Sequence, residues 1–133
     1  MSLFVDTSVW SIALRRDAIP ESAEVNRLRE ALNAGDVVLS TGIVLQELLQ
    51  GYSGPRAAAE IARRFQALPM ITPTLEDHVQ AANLRNGCRR HGVQVGTIDA
   101  LLAQLCITHQ LTMLSTDRDF VLVANHTTLQ LWS

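Results

Sequence analysis

The sequence predicts an α/β protein, a three-layer α/β/α sandwich around a central, mostly parallel sheet of four to five strands. Two observations carry that class. Short apolar runs of strand length alternate with longer stretches whose apolar residues recur at helical spacing, the pattern of successive βαβ units. The chain has 133 residues, 47% of them apolar, and no repeat, low-complexity tract or linker, so a single domain over residues 1–133 with one core is expected.

The elements follow in order. LFV (3–5) is an apolar run ending at an acid and reads as the first strand. No basic leader precedes it, so the N-terminus is expected to be neither a signal peptide nor a membrane span. SVWSIALR then begins a helix. Val25, Leu28 and Leu32 keep helical spacing through residues 22–34, and Gly35 stops that helix. DVVLS (36–40) is the second strand and runs into a helix over 42–50, with Ser40 or Thr41 as its cap and Gly51 as its terminator.

Arg56 to Leu68 is an amphipathic helix through Ala58, Ile61, Ala62 and Phe65, ended by Pro69. The short strand MIT precedes Pro73. Thr74 caps a helix over residues 75–91, and Asp77 three positions on completes a capping-box pattern. Thr97 opens the most regular helix, with Ile98, Leu101, Leu102, Leu105 and Cys106 on one stripe. LTMLS supplies another strand, DRDFVLVA a turn or short helix, and TLQLW the last strand.

On this frame the acids become informative. Asp6 follows the first strand, Asp117 and Asp119 follow LTMLS, Glu47 lies two turns into the helix after the second strand, and Asp99 stands in the first turn of the Thr97 helix. Ligands of open α/β sheets bind outside the carboxyl ends of the strands, and all five acids can face that edge. Each has a structural alternative: Asp6 as a helix cap, Asp99 as a dipole partner, Asp119 as ordinary turn chemistry. Glu47, set between Leu45 and Leu48, resists such an account most.

Converging carboxylates raise one another's pKa unless hard cations share them. A donor set of oxygens alone, without thiolate or imidazole, selects Mg²⁺ or Mn²⁺. Such an ion activates water and stabilises the leaving oxygen of a phosphodiester, so metal-dependent phosphodiester hydrolysis is the chemistry expected. Ser8, and Ser115 or Thr116, can support a ligating carboxylate or a bound water from a second layer.

The net charge of −2 divides unevenly, because removing the five acids leaves eleven arginines against eight other acids. No lysine occurs. Arginine's planar fork suits phosphate, which is compatible with a nucleic-acid ligand, and Arg15, Arg16 and Arg118 are candidate phosphate-binding residues because they follow the motif acids. Cys88 and Cys106 form no CxxC pair and imply a reduced, cytoplasmic setting. His78, His91, His109 and His126 are far apart in sequence and read as surface or helix-end residues rather than a zinc site.

The succession DTS, a helical Glu after the second strand, an Asp opening an IDALLAQ helix, and S-T-D-R-D-F after a strand resembles the PIN-domain nucleases along the whole chain. The small size is similar to the VapC toxins of bacterial and archaeal toxin–antitoxin pairs. The resemblance implies an endoribonuclease in which Asp6, Glu47, Asp99 and Asp117 bind Mg²⁺ or Mn²⁺, with Asp119 as a possible fifth ligand. It also implies a structured RNA substrate, commonly tRNA or ribosomal RNA, a homodimer, and inhibition by a cognate antitoxin laid across the active-site groove. Ser115 stands where many relatives have threonine and keeps the hydroxyl. The helices at 42–50 and 55–68, with Tyr52 and Phe65, are the expected source of a dimer surface.

Other classes fit less well. An aspartyl phosphotransferase would want a second acid two residues after Asp6, a receiver domain a late lysine, and a nucleotide-binding module a glycine-rich loop. A catalytically silent PIN-like protein that binds RNA or an antitoxin is the remaining alternative.

Overall fold

A computed structural model describes residues 2–15, 21–52 and 54–133. Arg16 lies outside the described residues. The elements run β1 (Leu3–Val5), α1 (Thr7–Ala13), α2 (Ala23–Ala34), β2 (Val38–Thr41), α3 (Gly42–Gln50), α4 (Pro55–Phe65) and β3 (Met70–Ile71). They continue with α5 (Leu75–Arg90), α6 (Thr97–Thr108), β4 (Thr112–Leu114), α7 (Asp119–Ala124) and β5 (Gln130–Leu131). The five strands form one sheet in the order β3-β2-β1-β4-β5, and every pairing is parallel. Helices flank it, giving the expected α/β/α architecture.

The order fixes where a ligand can sit. From β1 the chain winds one way through β2 to β3, then crosses back to place β4 on the other side of β1. The reversal leaves a crevice at the carboxyl ends of β1 and β4, the switch point where such sheets bind their ligands. Leu3 pairs with Val38 on one side and with Thr112 on the other. As the central strand, β1 is buried on both faces, and Leu3, Phe4 and Val5 are fully enclosed. Phe4→Ala there would cost about 3–5 kcal/mol.

Local chemistry explains most boundaries. Ser22 caps α2 by accepting the Val25 N–H at 3.3 Å, and Gly35 closes the helix in the left-handed region at φ 74°. The second strand begins at Val38 rather than residue 36 because the Asp36 N–H is engaged in that closure, donating to the Ala31 carbonyl at 2.9 Å. Thr41 belongs to β2 and stands at the start of α3, but its hydroxyl does not cap the helix. It donates instead to the Ile71 carbonyl at 2.6 Å, tying β2 to β3.

α4 ends at Phe65, three residues before the expected Leu68. Tighter bonds from Ala67 to Arg64 and from Leu68 to Phe65 unwind the chain ahead of Pro69, which disfavours helix in the residue before it. The Thr74–Asp77 capping box forms in full, with bonds of 2.8 and 3.1 Å.

Two amphipathic expectations shift. Leu32 is 46% exposed, and Ala31 takes its place on the buried face of α2. In α6 the buried face is wider than the expected stripe: Ala100, Leu102, Ala103, Leu105 and Cys106 are enclosed, while Ile98 is exposed. Phe65 is a core residue, its ring 5.0 Å from that of Trp10, so it is removed from the proposed dimer surface. Exposed apolar side chains lie elsewhere, including Leu75 at 83% exposure and Val79 one turn on. Among the described residues no helix is long and apolar enough to cross a membrane.

Candidate active site

Asp6 follows β1 directly, and its N–H donates to the Leu114 carbonyl at 2.9 Å, so the end of β1 is pinned to the end of β4. Although Asp6 occupies the N-cap position of α1, its side chain makes no capping bond. The helix-cap alternative therefore fails. Oδ2 instead accepts two hydroxyls, Ser8 Oγ at 2.9 Å and Ser115 Oγ at 2.8 Å. Only 6% of Asp6 is exposed, and two hydroxyl donors offset part of the cost of burying a charge there.

Each serine is held in turn by the backbone after β4, Ser8 from across the crevice and Ser115 within its own loop. Ser8 Oγ accepts the Thr116 N–H at 3.1 Å, and Ser115 Oγ accepts the Asp117 N–H at 3.0 Å. The two hydroxyls thus lock the β1 and β4 ends together and aim one oxygen of Asp6. With both donating to Asp6, their mutual 3.4 Å approach is a contact rather than a third bond. The Asp117 Oδ1 accepts the Asp119 N–H at 2.9 Å, an Asx turn that orients its carboxylate. Asp119 contributes its backbone to that turn, and its side chain is exposed.

Glu47 is brought in from α3. Thr7, the first residue of α1, donates its hydroxyl to Glu47 Oε1 at 2.9 Å. Every residue of the DTS motif is therefore employed, and Thr7 is the member that sequence reasoning missed. Its position between two recognised polar residues was the available signal.

Asp99 is half-buried in the first turn of α6. Its carboxyl is pushed up to about 6, first by burial and then by the charges of Asp6, Asp117, Glu47 and Asp119. All five acids thus act on one region, and every influence on Asp99 disfavours its charge. Burial, reinforced by Asp6, also pushes the Cys106 thiol far up, so it stays protonated and is no nucleophile.

No cation among the described residues answers this charge. The ion pairs there join Arg27 to Glu30 and Asp36, and Arg63 and Arg64 to Glu60, all away from the cluster. As the side chains stand, no three histidine, cysteine or acidic residues among the described residues are grouped closely enough to hold a metal ion. The carboxylates stand around an open crevice. An oxygen-only donor set, mutually repelling and without a protein counter-charge, fits a hard divalent cation in both charge and chemistry.

The arginines separate. Arg118 lines a cavity of about 240 Å³ together with Ser115, Thr116 and Asp117. Arg15 lines a different cavity of about 220 Å³ with Tyr52, Glu60 and Arg64. His91 and His126, 35 positions apart in sequence, stack with ring centroids 4.6 Å apart on the exposed surface.

Comparison with known proteins follows the same lines. The family model described as PIN domain matches residues 3–125. The chain is 29% identical over 132 residues to ribonuclease VapC11 of Mycobacterium tuberculosis, covering 96% of each sequence. Among solved structures it is similar to Mycobacterium tuberculosis VapC20, a sarcin-ricin loop cleaving toxin, with a TM-score of 0.72 and 20% identity over 97% of this chain and 99% of that one. It is also similar to VapBC2 from Rickettsia felis bound to a promoter DNA fragment, with a TM-score of 0.77 and 19% identity over the whole of both chains.

Proposed function

The chain belongs to the PIN domain family, and on that premise we propose that it is a divalent-metal-dependent endoribonuclease, the toxin of a type II toxin–antitoxin pair. One observation carries the reading. Five carboxylates gather at the switch point of the sheet without a cationic partner among the described residues, and burial, reinforced by the charges of the other four, pushes Asp99 up to about 6.

Asp6, Glu47, Asp99 and Asp117 would hold Mg²⁺ or Mn²⁺, with Asp119 in support. When bound, the ion supplies a nucleophilic water near neutral pH and charge stabilisation for the phosphodiester. The protein's own part is placement. Ser8 and Ser115 fix the direction of Asp6, the Asp119 N–H fixes Asp117, and Thr7 fixes Glu47. Preorientation of this kind avoids reorganisation during the reaction. Arg118, beside Asp117, would position an RNA phosphate.

The names of the relatives support the biological role. A ribonuclease and a toxin that cleaves the sarcin-ricin loop favour structured RNA, ribosomal or transfer, as substrate. The DNA-bound VapBC2 structure favours a cognate antitoxin as partner. A homodimer in the cytoplasm completes the proposal.

Purified protein incubated with total RNA tests it. Cleavage is expected with Mg²⁺ or Mn²⁺ and not in EDTA, and Asp6→Asn and Asp99→Asn are expected to abolish it. Unchanged cleavage by both variants would overturn the site. Absence of cleavage under every condition would leave a binding protein in place of an enzyme.

A further inference from the structure

Beyond the carboxylates, the cavity beside Asp117 has a composition that metal binding does not require. About 240 Å³ in volume, it lies past the carboxyl ends of β4 and β5. Ser115 and Asp117 line the side that adjoins the acids, and Arg118, Thr116, Glu24 and the half-buried Trp132 line the rest. Trp132 is anchored by its backbone, which extends the sheet through a 2.9 Å bond from its N–H to the Met113 carbonyl.

We propose that this cavity is a nucleobase subsite, which seats one unpaired base of the RNA next to the cleaved phosphodiester. The inference rests on the ribonuclease reading for its ligand and adds to it a substrate class, RNA with an unstacked nucleotide at the scissile position.

Three features combine to support it. Trp132 and Arg118 both line the cavity, and an indole and a guanidinium each offer a flat, polarisable surface on which a base stacks, an interaction indifferent to base identity. The volume is below the range typical of drug-sized ligand pockets and suits one base rather than a stacked pair. Direct adjacency to Asp117 places that base within a nucleotide of the proposed cation site, where Arg118 can meet a phosphate. A paired base cannot enter such a cavity, and RNA is read in sequence where its bases are splayed from loops and ends.

Glu24 adds a preference. Its Oε2 accepts the Ser22 hydroxyl at 3.0 Å, which steadies a carboxylate that can only accept hydrogen bonds. Cytosine, adenine and guanine carry an exocyclic amino group whose two protons can donate to it, whereas uracil has only its ring N3–H to offer. Cytidine at this position is therefore favoured over uridine.

The test needs no turnover. Full-length Asp99→Asn protein in EDTA is titrated into a hexaribonucleotide carrying one 2-aminopurine, whose fluorescence falls when the base stacks. Quenching is expected in this background, and adding Trp132→Ala is expected to weaken binding about tenfold or more, whereas Trp132→Phe keeps it within about threefold. Val121, an exposed α7 residue lining the same cavity, provides a second route: Val121→Phe fills it without disturbing the core and is expected to weaken binding similarly. Glu24→Gln is expected to reduce the cytidine-over-uridine preference. Binding unaffected by Trp132→Ala and by Val121→Phe would overturn the subsite. Quenching in a protein whose wild type never cleaves RNA would instead remove the ribonuclease reading and leave the base site standing.

Discussion

Where β1 and β4 end, Asp6 and Asp117 sit in a net of hydrogen bonds that crosses between two loops; where α6 begins, Asp99 meets only burial and like charges, and its carboxyl is pushed up to about 6. The first region is directed by hydroxyls and backbone amides whether or not a cation is present. The second is held in electrostatic conflict that a cation would relieve. On the proposed reading the contrast is a division of labour: one half of the crevice would supply geometry and the other affinity for positive charge.

Breaking the contrast at its two ends gives the largest effects. Asp99→Asn is expected to lower RNA cleavage by about 10²–10³-fold or more, the lower figures being typical of removing one source of charge stabilisation, while raising the metal-free Tm at pH 7.5 by about 2–4 °C. Asp6→Asn is expected to lose as much activity without the gain in Tm, because an amide turns the two charge-assisted bonds from Ser8 and Ser115 into weaker neutral ones. Initial cleavage rates and thermal melts in EDTA check both. A fall in Tm for Asp99→Asn would contradict the conflict assigned to that half.

Smaller changes probe the net. Ser115→Ala removes one hydroxyl from Asp6 and strips the Asp117 N–H of its acceptor, so activity is expected to fall about 10–100-fold, the usual effect of losing a second-layer support. Thr7→Val keeps the shape and frees Glu47, with an expected loss of about tenfold or less. Assays at saturating Mn²⁺ should narrow both deficits if the hydroxyls act by positioning ligands.

Acidity sharpens the other half. Asp99 is raised from 3.8 to about 6, so the folded protein holds this proton more tightly than the unfolded chain. Its contribution to stability is therefore present at low pH and is lost as pH rises through about 6. The Tm advantage of Asp99→Asn over wild type, measured in EDTA, is expected to be near zero at pH 4 and to grow until about pH 7. A flat difference across that range would contradict the assignment.

Much of this was legible in the sequence, for identifiable reasons. Asp6 and Asp117 were readable because apolar runs marked the strand ends, and Glu47 and Asp99 because each stands beside the apolar residues of a helix. Ser8 and Ser115 were readable because each lies two residues from an acid. What escaped was long-range. The bond between Thr7 and Glu47 spans 40 positions, and the stack of His91 on His126 brings together the chain just past α5 and the chain just past α7. Trp132 had the look of a last-strand residue until β5 was placed beside β4.

Boundaries slipped where a cap or a proline competed with periodicity, at Asp36 and before Pro69.

Titration of the metal-free protein with Mn²⁺ at pH 6, following both bound ion and released protons, tests the central claim most directly. Wild type is expected to bind the ion and release roughly half a proton, from Asp99, with the release vanishing by about pH 8. Asp99→Asn is expected to bind at least about tenfold more weakly and to release none. Equal affinity in the two proteins, or RNA cleavage that persists in EDTA, would contradict the account.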